Sequence, residues 1–139
     1  MEIIFVDHST RHVLDHVLDG VFDHALIEAQ CEAFLNCQQH VLAVSVVDGQ
    51  VVGMISAVVF FHPDKSPQLW INELSVAPPV RRQGIGRELM KAMFVHAESR
   101  GCRSAGLATH TDNEAARQLY RNVRSSHQSE LVEVHEWSI

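Results

Sequence analysis

A mixed α/β fold, with helices covering a central sheet, is predicted by three features of the chain. Segments with helical and with strand-like apolar spacing alternate along it. Two apolar strands are joined by Asp48-Gly49, a two-residue hairpin signal whose turn needs positive φ at both positions. Strand 69–76 runs through Pro78-Pro79 and a glycine-containing loop straight into a helix, as a crossover connection does. Hairpin and crossover together imply antiparallel and parallel pairs in one sheet. The length of 139 residues supports a single domain, 1–139, around one core.

In chain order, Ile3-Ile4-Phe5-Val6 reads as a first strand. Ser9 or Thr10 caps a helix over 10–19, with Val13, Leu14, Val17 and Leu18 at helical spacing and Gly20 at its end. A second helix covers 22–37, with Phe22, Leu26, Ile27, Ala29, Ala33 and Phe34 turned inward. Strands 41–47 and 50–61 form the hairpin, and Gly53 marks a bulge in the second. His62–Pro67 is a loop. The helix after the glycine loop has Ile85, Leu89, Met90, Met93, Phe94 and Ala97 on its apolar face and stops at Gly101. Residues 103–109 read as a strand. Thr111-Asp112-Asn113-Glu114 has capping-box spacing and opens a helix through Tyr120. The tail 131–138 reads as a final strand.

Composition removes several classes of function. Apolar residues are 46% and charged residues 20% of the chain, an ordinary globular balance. No apolar run approaches the roughly 18 residues of a membrane span, and the start lacks the basic and apolar regions of a signal peptide, so no membrane partner is expected. Cys31, Cys37 and Cys102 lack CxxC spacing and suit reduced thiols in a cytoplasmic protein. A net charge of −6 argues against nucleic acid as a partner. The distribution is uneven. Residues 1–64 carry nine acids and one base, Arg11, whereas six bases fall between Arg81 and Arg103. The first half suits a cationic ligand and the basic stretch a polyanion, although solvated helix faces would look the same.

Arg81-Arg82-Gln83-Gly84-Ile85-Gly86 opens the helix after strand 69–76. Unpaired amides and the helix dipole favour an anion there, and Gly84 and Gly86 let the backbone approach a phosphate. The loop lacks the Gly-Lys-Ser/Thr of a Mg²⁺-nucleotide site, and Leu89 stands where GxGxxG needs a third glycine.

Leu74-Ser75-Val76-Ala77-Pro78 followed by Arg82-Gln83-Gly84-Ile85-Gly86 resembles the acetyl-CoA signature of the GNAT family of N-acetyltransferases. Asn113-Glu114-Ala115-Ala116-Arg117-Gln118-Leu119-Tyr120 is similar to the family's N-x-x-A-x-x-L-Y helix. The resemblance covers residues 69–121. It implies a mostly antiparallel mixed sheet of six or seven strands, with parallel strands 69–76 and 103–109 splaying apart, and about four helices. It implies that Leu74, Ser75 and Val76 bind the pantetheine arm through their backbone. The amides of Arg82, Gln83, Gly84, Ile85, Gly86 and Arg87 would hold the pyrophosphate, with Arg81, Arg82 and Arg87 adding charge. Asn113 would bond the pantetheine near the thioester, Ala116 would join the cofactor residues, and Tyr120 would sit beside the sulfur. The family's Gly-Phe after that tyrosine is missing, which leaves Asn122 to take a left-handed cap.

Acetyl transfer to an amine needs a base, oxyanion stabilisation and a proton for the thiolate that leaves as coenzyme A. Glu73 is the candidate base, direct or through water. Strict alternation puts it on the face of Leu69 and Ile71, where apolar neighbours raise a carboxylate's pKa. The competing reading is that it pairs with an arginine or only binds a cationic substrate. Tyr120, the single tyrosine, is the candidate acid; otherwise it is a core residue. His8, His12 and His16 recur every fourth residue, but no carboxylate or cysteine completes a metal set, and a surface stripe is the simpler reading. His110, beside Asp112, is a candidate substrate or proton-relay contact, or a solvated loop histidine.

Asp15, Asp19, Asp23, Glu28 and Glu32 line the helices that the resemblance makes the acceptor wall, with Asp19 and Asp23 the leading substrate contacts. They favour a cationic small-molecule amine: an aminoglycoside, a polyamine, or a basic peptide. The stretch from Gly53 to Gly86 resembles small bacterial aminoglycoside 3-N-acetyltransferases, which implies antibiotic resistance by removal of an ammonium charge. A general small-amine or protein N-acetyltransferase is the alternative, and a non-catalytic acetyl-CoA-binding module the reading from another class. A homodimer is compatible with all of these.

Overall fold

The computed structural model describes residues 1–139 and divides into two compact units, Met1–Ala108 and Thr109–Ile139. The first unit holds a five-stranded sheet in the order β1-β2-β3-β4-β5: Glu2–Phe5, His40–Val47, Gln50–Phe60, Gln68–Val76 and Ser104–Gly106. The first four strands pair antiparallel, and β4 pairs with β5 in parallel. The β2–β3 turn has Asp48 at φ 50° and Gly49 at φ 75°, as the hairpin reading requires.

Helix α1 spans Glu28–Asn36, and α2 spans Ile85–Ser99. On one sheet face Ile55, Ala57, Val59, Leu69 and Ile71 are buried, and so are Ile85, Leu89 and Met93 of α2, which packs on β2, β3 and β4. Gly53 lies directly under this helix. A Cβ there would stand 3.1 Å from Ile85 and 3.3 Å from Leu89. The other face carries a second cluster of Val6, Val21, Leu42, Val44, Val51, Met54 and Ala77, covered by Val13, Leu14, Val17, Leu18, Phe22 and Phe34.

Three expected elements are shorter than read. The helix expected over 10–19 is a 3₁₀ segment, Arg11–Asp15. Beyond it Val17 bridges Val51, with Val51 N donating to His16 O at 2.8 Å and Leu18 N to Val51 O at 2.9 Å, so the sheet captures the backbone that would have continued the helix. His8 and His16 therefore lie outside that segment, and the stripe spacing does not form. The helix expected over 22–37 begins only at Glu28. Val21 is fully buried and Gly20, at φ 82°, packs on Pro78, which pins residues 18–22 in a non-helical path; Leu26 and Ile27 are exposed rather than inward. The strand expected over 103–109 ends at Gly106, where its pairing to β4 stops.

The second unit contains α3, Glu114–Val123. Its N-cap is Asn113, whose side chain accepts from Ala116 N at 3.2 Å, and not Thr111. Asn122 stays helical and bonds Gln118 O at 2.8 Å, so it takes no left-handed cap. The expected strand 131–138 is absent: Leu131, Val132, Val134 and Trp137 are exposed and no ladder includes them. Alternation gives a segment a sheet-compatible face but cannot supply a partner. The sheet thus has five strands instead of six or seven, with three α-helices instead of four.

Candidate active site

The site begins with a parity change in β4. Ala57 pairs with Ile71 and Ser56 with Glu73, so Asn72 is an extra residue in the ladder, a β-bulge. Glu73 consequently shares a face with Trp70, Ser75 and Met54, opposite Leu69 and Ile71. This corrects the expectation from strict alternation. The signal was in the chain: the apolar positions change from 69 and 71 to 74 and 76. A second shift leaves Val52 unpaired beside Gly53, where a bulge was expected.

Glu73 is half-buried on the face that carries the acidic N-terminal segment. Burial raises its pKa, and the charge of Asp23 raises it further. Ser75 Oγ donates to Gly20 O at 3.2 Å, tying that segment to β4. Asp19 and Asp23 are both exposed there. The only base of the segment, Arg11, is paired with Glu28 and neutralised by it.

β4 and β5 pair only from Gln68↔Ser104 to Trp70↔Gly106. From Ile71 to Val76 the β5 side of β4 has no strand partner, so the backbone of Leu74, Ser75 and Val76 borders an open edge. Past β4, Pro78–Val80 form a 3₁₀ turn, and Arg81 Nε donates to Val76 O at 2.8 Å, fastening the loop to the strand. Arg82 at φ 63° and Gly84 at φ 85° turn the chain into α2. Residues 80–83 close a turn, and the amides of Arg82, Gly84, Ile85, Gly86 and Arg87 precede the first helical bond, Glu88 N to Gly84 O, 3.1 Å. The amides at this helix start, with exposed Arg82 and Arg87, suit a phosphate group.

In the second unit, Asn113 spends its Oδ1 on capping α3. Arg117 donates to Thr111 O at 2.8 Å and fixes the approach to the helix. Ala116 and Tyr120 are half-buried, and burial raises the Tyr120 phenol above its ordinary value, so it keeps its proton at neutral pH. His110 and Asp112 are exposed loop residues four and six positions past the end of β5.

Residues 8–123 match the model of the acetyltransferase (GNAT) family. The chain belongs to that family. It is a GNAT N-acetyltransferase, and such enzymes use acetyl-CoA. No curated protein matches the chain in sequence. Among solved structures, the aminoglycoside acetyltransferase meta-AAC0020 from an uncultured soil metagenomic sample, in complex with trehalose, has a TM-score of 0.82 at 16% identity, over 99% of this chain and 95% of that one. The aminoglycoside N-acetyltransferase AAC(6′)-Iy, bound to a bisubstrate analogue, gives 0.78 at 15% identity over 99% and 98%. A transcriptional regulator from Bacillus halodurans C-125 gives 0.70 at 18% identity over 96% and 99%. At such identities the likeness shows the fold. These neighbours include a 6′ enzyme and are not specifically of the 3-N type. No helix of this GNAT chain is long and apolar enough to cross a membrane.

The residues present fit acetyl-CoA: the amides at the start of α2 suit its pyrophosphate, and the open edge of β4 suits the amide groups of its pantetheine arm.

Proposed function

We propose that this GNAT enzyme acetylates an amino group of an aminoglycoside, in the cytoplasm, with Glu73 as general base and Tyr120 as general acid. The observation that carries the reading is the bulge at Asn72, which turns a half-buried carboxylate toward the sheet face covered by the acidic N-terminal segment, where the charge of Asp23 acts on it. Acetyl-CoA, when bound, supplies an acetyl group activated as a thioester. The amides of residues 82–87, with Arg81, Arg82 and Arg87, hold its phosphates; Leu74, Ser75 and Val76 align its arm; Asn113 and Ala116 complete that set. Asp19 and Asp23 attract ammonium groups. Glu73, made more basic by burial and by Asp23, removes the proton that an ammonium must lose before it can attack. Tyr120 keeps a proton available for the departing thiolate. His110 and Asp112 contact the acceptor. The sequence resemblance favours the 3-N position, which NMR of the product identifies.

The test is thiol release with neamine, gentamicin and spermidine, beside calorimetric titration with acetyl-CoA. Glu73→Gln lowers kcat at least a hundredfold and leaves acetyl-CoA affinity within twofold. Equal loss of affinity makes Glu73 structural. Joint Asp19→Asn and Asp23→Asn substitution raises KM for the amine and spares that for acetyl-CoA; an unchanged amine KM removes both residues from the acceptor site. Spermidine turnover alone selects the polyamine alternative. Binding without any turnover selects a non-catalytic module.

A further inference from the structure

We infer that Trp70 is the platform on which the acceptor's ring rests, so that the site selects ring amines over linear polyamines. This inference rests on the acceptor reading above and names the residue that would confer its specificity. Trp70 pairs with Val58 and Glu73 with Ser56, so the two are consecutive side chains on one face of β4, about 7 Å apart along the pleat. Trp70↔Gly106 is also the last β4–β5 pair before the strands part, which sets the indole at the mouth of the gap.

The indole packs against Gly106 of β5. A Cβ on Gly106 would lie 3.0 Å from Trp70 Cζ3 and 3.2 Å from Cε3, so the ring packs against the β5 backbone, where a larger residue would press on it. The strand pair beneath is braced: Gln68 Nε2 donates to Ser104 Oγ at 2.8 Å, and His62 Nε2 meets Gln68 Oε1 at 2.8 Å. Trp70 is still 41% exposed. An aromatic face open to solvent beside a carboxylate meets both needs of an amino-substituted saturated ring. Its C–H edges pack on the π face, and its ammonium groups gain cation–π attraction there and ion pairing at Glu73 and Asp23. A linear polyamine offers the charges without the ring.

The chain has two tryptophans, so Trp137→Phe leaves Trp70 as the only tryptophan emitter. In that background neamine changes the emission saturably near its KM, whereas spermidine at equal occupancy changes it little. In the otherwise native chain, Trp70→Ala raises the neamine KM about tenfold and leaves the acetyl-CoA and spermidine KM within twofold, while Trp70→Phe stays within about threefold of wild type. Neamine acetylated with no emission change overturns the platform and leaves the acceptor chemistry standing. Saturable emission change without acetylation does the reverse. Equal KM increases for neamine and spermidine, or an absence of both emission change and turnover with neamine, also overturn the platform.

Discussion

Glu73 and Asp23 form a like-charged pair on one face of the sheet, and burial compounds the effect on Glu73. In the proposed mechanism the active base is the carboxylate, so kcat should rise with pH through a group whose pKa lies above 4.5, the ordinary value. Asp23→Asn removes the like charge and moves that acidic limb to lower pH; a limb that stays in place shows that Asp23 does not act on Glu73. Ser45 poses a different question. It is fully buried on the α2 face, and its Oγ has no partner. A buried hydroxyl with no partner is costly, so Ser45→Ala should stabilise the protein by about 1 kcal/mol, read as a higher urea midpoint at constant slope. Sequence alone singled out Glu73 by residue type but set it on the wrong face of its strand, because strict alternation does not count the extra residue at Asn72. It could not expose the Ser45 defect, which depends on what surrounds a side chain in three dimensions.

The loop–helix element is governed by backbone conformation. Gly84 sits at φ 85° with nothing within 4 Å of an added Cβ, so alanine meets no steric neighbour there, only the cost of left-handed geometry. That cost is roughly 1 kcal/mol, and relief of it turns the amides of the helix start away from their common focus. Gly84→Ala should weaken coenzyme A binding about tenfold by calorimetry, with little change in the far-ultraviolet circular dichroism. This element was legible because its signal is local: glycines, arginines and a helix start within six residues. The 3₁₀ segment at Arg11–Asp15 was not, because its length is decided by Val51, far along the chain. The 131–138 tail failed as a strand for the same reason; periodicity describes one segment, and a ladder needs two.

For the whole molecule, the two apolar layers against the sheet were largely foreseeable from alternation, and the hairpin and the parallel crossover fixed most of the strand order. The balance of stability with pH was not. His96 of α2 stacks on Phe5 at 5.0 Å, its Nε2 is buried without a partner, and burial followed by the charge of Arg100 lowers its pKa. The folded state therefore binds this proton less readily than the unfolded chain, whose histidine titrates near 6.5. The contribution is full above that pH and is lost as pH falls through the unfolded and then the folded pKa. Melting temperature should decline below about pH 6.5, and His96→Phe should flatten the decline. Identical slopes in the two proteins assign the acid sensitivity elsewhere. The surplus residue in β4 has one more outcome. It separates grease from chemistry by a single count, so the segment between Leu69 and Glu73 should tolerate conservative replacement far better than changes of length. Loss or gain of one residue there would exchange inside for outside along half a strand, whereas a change of two keeps each side chain facing its own way.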